Sequence, residues 1–247
     1  MSPPPGAASS ELSAGRLPTV LAVHGFGSSA HYTWGATGHL ASLTRAGRRV
    51  VAPDLRGHGL SDRPHLPAAY RFDALLADLR AVIVAVGGSP IDVVGYSLGA
   101  RLSWSLAADL DLRVRRLVLG GYDGRVLFEG VDPDRLTATA DPPVGRPGIA
   151  TDATERIAGI VRAVPGNDAA ALIALVAALP RTAQHDPEPA MPTLVAAGTE
   201  DPLASGAELL AAGLPDGTYL AIPGRDHVSA VPAAVFRRGV VEFLGVE

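Results

Sequence analysis

The stretch Ile91-Asp92-Val93-Val94-Gly95-Tyr96-Ser97-Leu98-Gly99-Ala100 decides how the rest of this 247-residue chain is read. A short β-branched run drives into Gly-x-Ser-x-Gly, and a helical pattern follows from Ala100 to Leu110. A serine placed on so tight a strand-to-helix turn sits in strained backbone with its hydroxyl projecting from the carboxyl edge of a sheet. Gly95 and Gly99 suit it because side chains two residues to either side would collide across the turn. The Leu98 amide then points beside the Ser97 hydroxyl at a helix start, where the dipole favours negative charge. This reading makes Ser97 a nucleophile and Leu98 one backbone donor of an oxyanion hole.

Upstream, Leu17 to Val23 reads as a strand ending in His24-Gly25-Phe26-Gly27-Ser28-Ser29. Its glycines allow a sharp turn that carries the Phe26 amide toward Ser97 as the second donor, while His24 reads as a residue that fixes the loop. A helix is expected around Thr37 to Ala46. The next strand, Arg48 to Asp54, runs into the polar loop Leu55 to Asp62. Asp54, His58 and Asp62 there have metal-ligand chemistry, but Asp, Gly and Ser at turn positions account for them, and no metal site is expected. Phe72, Leu75, Leu76, Leu79 and Ile83 recur at helical spacing, and Gly87-Gly88 ends that helix.

Downstream, Arg113 to Gly121 is a strand, and from Tyr122 to about Pro192 the composition turns to Asp, Pro and Gly loops around two helical segments. Ile157, Ile160, Val161 and Val164 share one face of the first. The second, Asp168 to Leu179, is apolar nearly all round and is stopped by Pro180. These segments serve either as a lid whose Leu172, Ile173 and Val176 line an apolar substrate pocket, or as plain core packing. The chain returns with the strand Thr193 to Gly198 and Thr199-Glu200-Asp201, a helix around Ala204 to Ala212, the strand Thr218 to Ile222, then Pro223-Gly224-Arg225-Asp226-His227, and closes with a helix from Val231 to Leu244. Strand and helix alternate throughout, which is the pattern of a parallel α/β sheet.

Composition narrows the function. With 47% hydrophobic residues and no long apolar run, the chain is expected to be soluble and to form one domain with an insertion. A net charge of −4 offers no basic field, so the expected partner is a small molecule, with no nucleic acid and no membrane; oligomeric state is left open. There is no cysteine, and all 21 basic residues are arginine. Thiol nucleophiles, thiolate metal sites, Schiff-base chemistry and a Walker-type phosphate loop are thereby excluded. Residues 1–15 lack both a basic start and an apolar core and read as a disordered leader, not a signal peptide, which makes the expected location cytoplasmic.

A serine hydroxyl needs a base within reach, and the base needs a carboxylate to hold its tautomer. Ser97, Asp201 and His227 each follow a strand and so emerge from one edge of a parallel sheet. Asp123 and Glu200 are the rival acids, and Asp226 reads as a turn residue. In this order the motifs resemble the α/β-hydrolase fold family from about Pro18 to Leu244. His24-Gly25-Phe26-Gly27 is similar to its oxyanion loop, Asp54-Leu55-Arg56-Gly57-His58-Gly59-Leu60-Ser61 to its Asp-x-x-Gly-x-Gly-x-Ser loop, Gly198-Thr199-Glu200-Asp201 to its acid site, and Gly224-Arg225-Asp226-His227 to its closing histidine. The resemblance implies a core of residues 16–121 and 193–247, a helical lid at 122–192, and a mostly parallel sheet of about six strands, since the usual leading hairpin is missing. It also implies acyl transfer on an ester, lactone or thioester of a small to medium apolar substrate, with no cofactor. Two rivals remain. One is cleavage of a carbon–carbon bond, since the fold also houses carbon–carbon hydrolases and the lyase of menaquinone biosynthesis, and Arg101, four residues after the serine, resembles an arginine of that lyase though it reads equally as a solvated helix residue; the other is a small-molecule receptor that keeps the triad.

Overall fold

The computed structural model describes residues 17–140, 152–179 and 186–245. Six strands, β1 (Thr19–Val23), β2 (Val50–Val51), β3 (Ile91–Tyr96), β4 (Val114–Gly120), β5 (Thr193–Gly198) and β6 (Gly217–Ile222), form one parallel sheet in the order β2-β1-β3-β4-β5-β6. The Val, Ile and Leu runs suit this because the central strands are covered on both faces. Side-chain alternation divides the core in two. Leu21, Val23, Val93, Leu117, Leu119 and Val195 face one side, while Val20, Ala22, Val94, Val118 and Leu194 face the other. The first side carries α2 (Phe72–Ala85), α3 (Leu98–Ala107) and α7 (Ala207–Gly213); the second carries α1 (His39–Arg45) and α8 (Ala234–Gly245), through Leu43, Phe236 and Val240.

The strand order reverses between β1 and β3, since β1 sends the chain outward to β2 and then inward to β3. A crevice opens beyond the carboxyl ends at such a point. In register, Val23 lies beside Gly95 and Tyr96 beside Gly120, so the loops leaving β1, β3 and β4 gather around that crevice.

Between β4 and β5 the described residues hold three helices, one more than expected: α4 (Pro133–Ala140), α5 (Ala153–Ala163) and α6 (Ala169–Ala178). The start of α4 looked like a loop because it reads Asp-Pro-Asp. Those residues are a helix start: Asp132 accepts from the amides of Asp134 (2.9 Å) and Arg135 (3.2 Å), and Pro133 occupies the first turn. Asp152 and Asp168 cap α5 and α6 in the same way, accepting from Glu155 and Ala171. All three helices contribute to the core that lies on the α2/α3 face of the sheet. The expected leader 1–15 and the stop at Pro180 lie outside the described residues.

Strand β2 is shorter than the expected Arg48 to Asp54, because Pro53 has no amide to donate and Asp54 already turns toward a loop. Arg48 instead enters a buried ion cluster with Asp92 and Arg115, the Asp92 carboxylate being fully enclosed in β3. Both arginines also donate to the Leu244 carbonyl, at 2.7 and 2.8 Å, which satisfies the end of α8 at the amino edge of the sheet, opposite the crevice. No helix among the described residues is long and apolar enough to cross a membrane.

Candidate active site

Ser97 stands between β3 and α3 with φ 54° and ψ −117°, the strained turn that its motif calls for. The flanking glycines are enforced by contact. A Cβ on Gly95 would lie 2.6 Å from Ala100 Cα and one on Gly99 would run into the carbonyls of Val23 and His24, so the first turn of α3 can fold back on β3 and close onto β1 only if both are glycine. Leu98 is the first residue of α3, where amides have no partner within the helix.

His227, in the loop after β6, places Nε2 3.0 Å from Ser97 Oγ and Nδ1 2.8 Å from Asp201 Oδ2. The other Asp201 oxygen accepts the Leu203 amide at 2.9 Å, which holds the carboxylate in one orientation. Its side chain is fully buried and that of His227 is 14% exposed, so the pair sits in a poorly screened setting. Tyr96 holds the histidine loop: its hydroxyl donates to the His227 carbonyl at 2.6 Å and its ring packs 5.4 Å from the imidazole.

The rival acids are placed elsewhere. Asp123 is committed to Arg125 Nε (2.7 Å) and the Gly206 amide (3.2 Å), and Glu200 is exposed at the surface. Asp226 is the turn residue expected, accepting from Ser229 Oγ (2.6 Å) and from the amides of Val228 and Ser229.

The loop after β1 lies against the serine, with the Cβ position of Gly25 only 3.3 Å from Ser97 Cβ. Two buried histidines fix it. His24 accepts the Leu55 amide on Nε2 (2.9 Å) and bonds the Gly25 carbonyl through Nδ1 (2.8 Å); His58 accepts the Gly27 amide on Nε2 (3.0 Å) and bonds the Arg56 carbonyl through Nδ1 (3.1 Å). Burial lowers their pKa values to about 4 and about 3, His58 being pushed further by His24, so both stay neutral and can accept. Asp54 is spent on the amides of Ala30 and Leu60, both at 2.8 Å, and Asp62 is exposed with its carbonyl accepting the Gly57 amide; among the described residues no group of potential ligands converges on a metal position.

One residue of this assembly was missed. Asn167, in the turn between α5 and α6, donates through Nδ2 to the Gly27 carbonyl (2.8 Å) and to Val161 (3.1 Å). Gly27 itself has φ 66° with Ile160 packed so closely that a Cβ would sit 2.6 Å from its methyl. Its amide is therefore held by His58 and its carbonyl by Asn167.

A cavity of about 390 Å³ opens on Ser97 and His227. Its walls are largely apolar, among them Phe26, Phe128, Val131, Ile157, Ile160 and Val164, with Arg125, Glu129 and Arg156 also contributing. This corrects the expectation for Leu172, Ile173 and Val176, none of which lines it. Helix α6 is apolar all round because it is enclosed by α4 and the turn Pro67–Tyr70, with Leu172 and Val176 wholly buried and Ile173 packed against the same core. The helix that reaches the cavity is α5. Arg101 is likewise neither solvated nor in the cavity: it is buried on α3, donating to Ser105 Oγ (2.8 Å) and Asp186 Oδ2 (2.7 Å) beneath the Phe72 ring.

Residues 18–134 match the model of the alpha/beta hydrolase fold family. The stretch is just under half of the chain, and the chain has the alpha/beta hydrolase fold. It is 40% identical to 2-hydroxy-6-oxo-2,4-heptadienoate hydrolase of Pseudomonas putida over 115 residues, 46% of this chain and 40% of that protein. It is 38% identical to epoxide hydrolase B of Mycobacterium tuberculosis over 90 residues, 36% of this chain and 24% of that protein. The matched stretch spans about a third of the length of several other curated relatives. Among solved structures, the enol-lactonase of Burkholderia xenovorans superposes with a TM-score of 0.69 at 23% identity, covering 93% of this chain and 92% of that one, which is a likeness of fold.

Proposed function

We propose that the protein is a serine hydrolase that cleaves a carboxylic ester, lactone or thioester of a small to medium apolar substrate through an acyl-enzyme. The observation that carries this reading is the relay from Asp201 through His227 to Ser97, at 2.8 and 3.0 Å, opening on an apolar cavity. His227 Nε2 takes the Ser97 proton as Oγ attacks the acyl carbon. The amides of Phe26 and Leu98 hold the oxyanion, and Asp201 stabilises the imidazolium. The imidazolium then protonates the leaving alcohol, and water, deprotonated by the same nitrogen, releases the acid and restores the serine. Every step is served by groups of this chain, without a cofactor.

Epoxide opening through an alkyl-enzyme fits less well, although several relatives carry that name. That route needs a carboxylate nucleophile, whose ester water can cleave at the carbonyl; Ser97 would leave a stable ether. The lyase reading rests on Arg101, which faces Asp186 and Ser105 and not the cavity. A receptor with the same triad would bind without turnover. The test is hydrolysis of a panel of p-nitrophenyl esters by the wild type and by Ser97→Ala. Turnover abolished in the variant supports the proposal, and no turnover of any ester by a folded wild type rejects it.

A further inference from the structure

Among the described residues, two that are not glycine have left-handed backbone, Ser97 at φ 54° and Phe128 at φ 58°, and both line the same cavity. For Ser97 the elbow explains it. Phe128 lies in the turn 127–130, with its carbonyl accepting the Val131 amide at 3.1 Å; a glycine would occupy that conformation freely, and a bulky side chain rarely enters it. The neighbouring left-handed positions, Gly124 and Gly130 at φ 85° and 71°, are both glycine, whereas this one is a phenylalanine. Strained residues of this kind persist where the surroundings over-determine them, and they gather at functional sites.

What holds Phe128 is a file of rings. It meets Phe26 edge to face, with centroids 5.0 Å apart and planes at 73°; Phe26 meets His58 at 5.9 Å, and His58 meets His24 at 5.1 Å. The inner end of the file is the pair of neutral histidines that fixes the loop after β1. Its outer end is the Phe128 ring, half-buried at the cavity wall next to the residue whose amide is the proposed oxyanion donor. An aromatic ring in the wall of the cavity on which Ser97 opens takes up space that a bound substrate would otherwise fill.

We infer that Phe128 is the specificity-determining residue that sets the length of apolar acyl chain the cavity accepts. This rests on the serine-hydrolase reading for the identity of the group as an acyl chain. Without the ring, methylenes that the wall excludes become buried, and each is worth about fourfold in the specificity constant.

The experiment compares p-nitrophenyl esters from acetate to dodecanoate on wild type, Phe128→Gly, Phe128→Ala and Phe128→Tyr. The preferred length should move outward by two or more carbons in the glycine and alanine variants, with the ratio of long to short specificity constants rising by about tenfold or more. Phe128→Tyr should keep the wild-type profile. Phe128→Gly should also melt higher than Phe128→Ala, since only glycine relieves the backbone. Calorimetric binding of fatty acids of increasing length to the same set on a Ser97→Ala background reads the length limit without turnover. If the wild type cleaves no ester but the fatty-acid limit moves in Phe128→Gly, the wall assignment stands and the reaction reading falls. If wild type is active and the length profile is the same in every variant, or if no ligand of any length binds or reacts, the inference is overturned.

Discussion

Replacing Asp201 by asparagine should be far more damaging than its single-atom change suggests, and the geometry gives the reason. One carboxylate oxygen accepts the Leu203 amide at 2.9 Å, and the other faces His227 Nδ1 at 2.8 Å. An asparagine must keep its oxygen toward the Leu203 amide, because turning its NH₂ there would set donor against donor. The NH₂ then faces Nδ1, which must become an acceptor, so the imidazole proton moves to Nε2 and points at Ser97 Oγ. The base is lost, and so is the charge that would stabilise the imidazolium. The same replacement in a serine protease costs roughly 10⁴ in kcat, and a loss of that order is expected here. Asp123→Asn is the control. It breaks the pair with Arg125, whose side chain is 51% exposed, while Arg125 keeps the Pro202 carbonyl at 3.1 Å. The Asp123 carboxylate is buried, but the asparagine oxygen can still accept from the Gly206 amide and neither group touches the Ser97–His227 pair, so activity should fall by less than about tenfold. Both variants are to be assayed for ester turnover with melting curves to confirm the fold. If Asp201→Asn keeps most of its activity while Asp123→Asn loses it, the acid follows β4 and the argument from the Leu203 amide is refuted.

Asn167→Ala should lower kcat for short esters by about tenfold while leaving KM nearly unchanged, because one released hydrogen bond at the Gly27 carbonyl, worth about 1 to 1.5 kcal/mol, loosens the oxyanion loop and not the cavity; an equal loss in KM and none in kcat would contradict this. Leu172→Ala should destabilise by about 2 to 5 kcal/mol in denaturant unfolding without changing acyl preference, whereas Ile160→Ala should change preference, since only Ile160 lines the cavity. Burial holds His24 and His39 at about 4 and His58 at about 3, below the ordinary 6.5, so between pH 6.5 and those values the unfolded chain binds protons that the folded chain does not. Stability should therefore fall as pH drops below 6.5, by up to about 1.4 kcal/mol per unit for each histidine and about 4 for the three; denaturant melts at pH 7, 6 and 5 with no such loss would show that they are not held neutral.

That Ser97 sits on a tight strand-to-helix turn, and that Asp201 and His227 leave the same edge of the sheet, was legible because each placement is forced by a local constraint. Gly95 and Gly99 have no room for a Cβ, and residues that end parallel strands collect at one edge whatever the intervening chain does. The choice between Asp123 and Asp201 was open, as both follow strands. What separates them is a partner on each, Arg125 for one and His227 for the other, that only packing reveals. Helix α6 misled because an all-apolar segment shows no face, so nothing in it distinguishes a cavity wall from enclosure by α4 and Pro67–Tyr70. Asn167 in Pro165-Gly166-Asn167-Asp168 reads as a turn residue, and its partner Gly27 stands 140 positions away. Asp92 inside β3 is hidden for the same reason, its arginines coming from 44 positions before it and 23 after. Nothing in the sequence marks the left-handed backbone of Phe128.

The central claim is that Ser97 is the nucleophile of an acyl-transfer site. The direct measurement is intact-mass spectrometry with peptide mapping after exposure to a fluorophosphonate, run beside turnover of p-nitrophenyl butyrate. A single adduct on Ser97, formed in step with the loss of turnover and absent from both Ser97→Ala and His227→Ala, is the result expected. Ester turnover that persists in protein fully modified at Ser97, or an active wild type that gains no adduct there, would contradict the account.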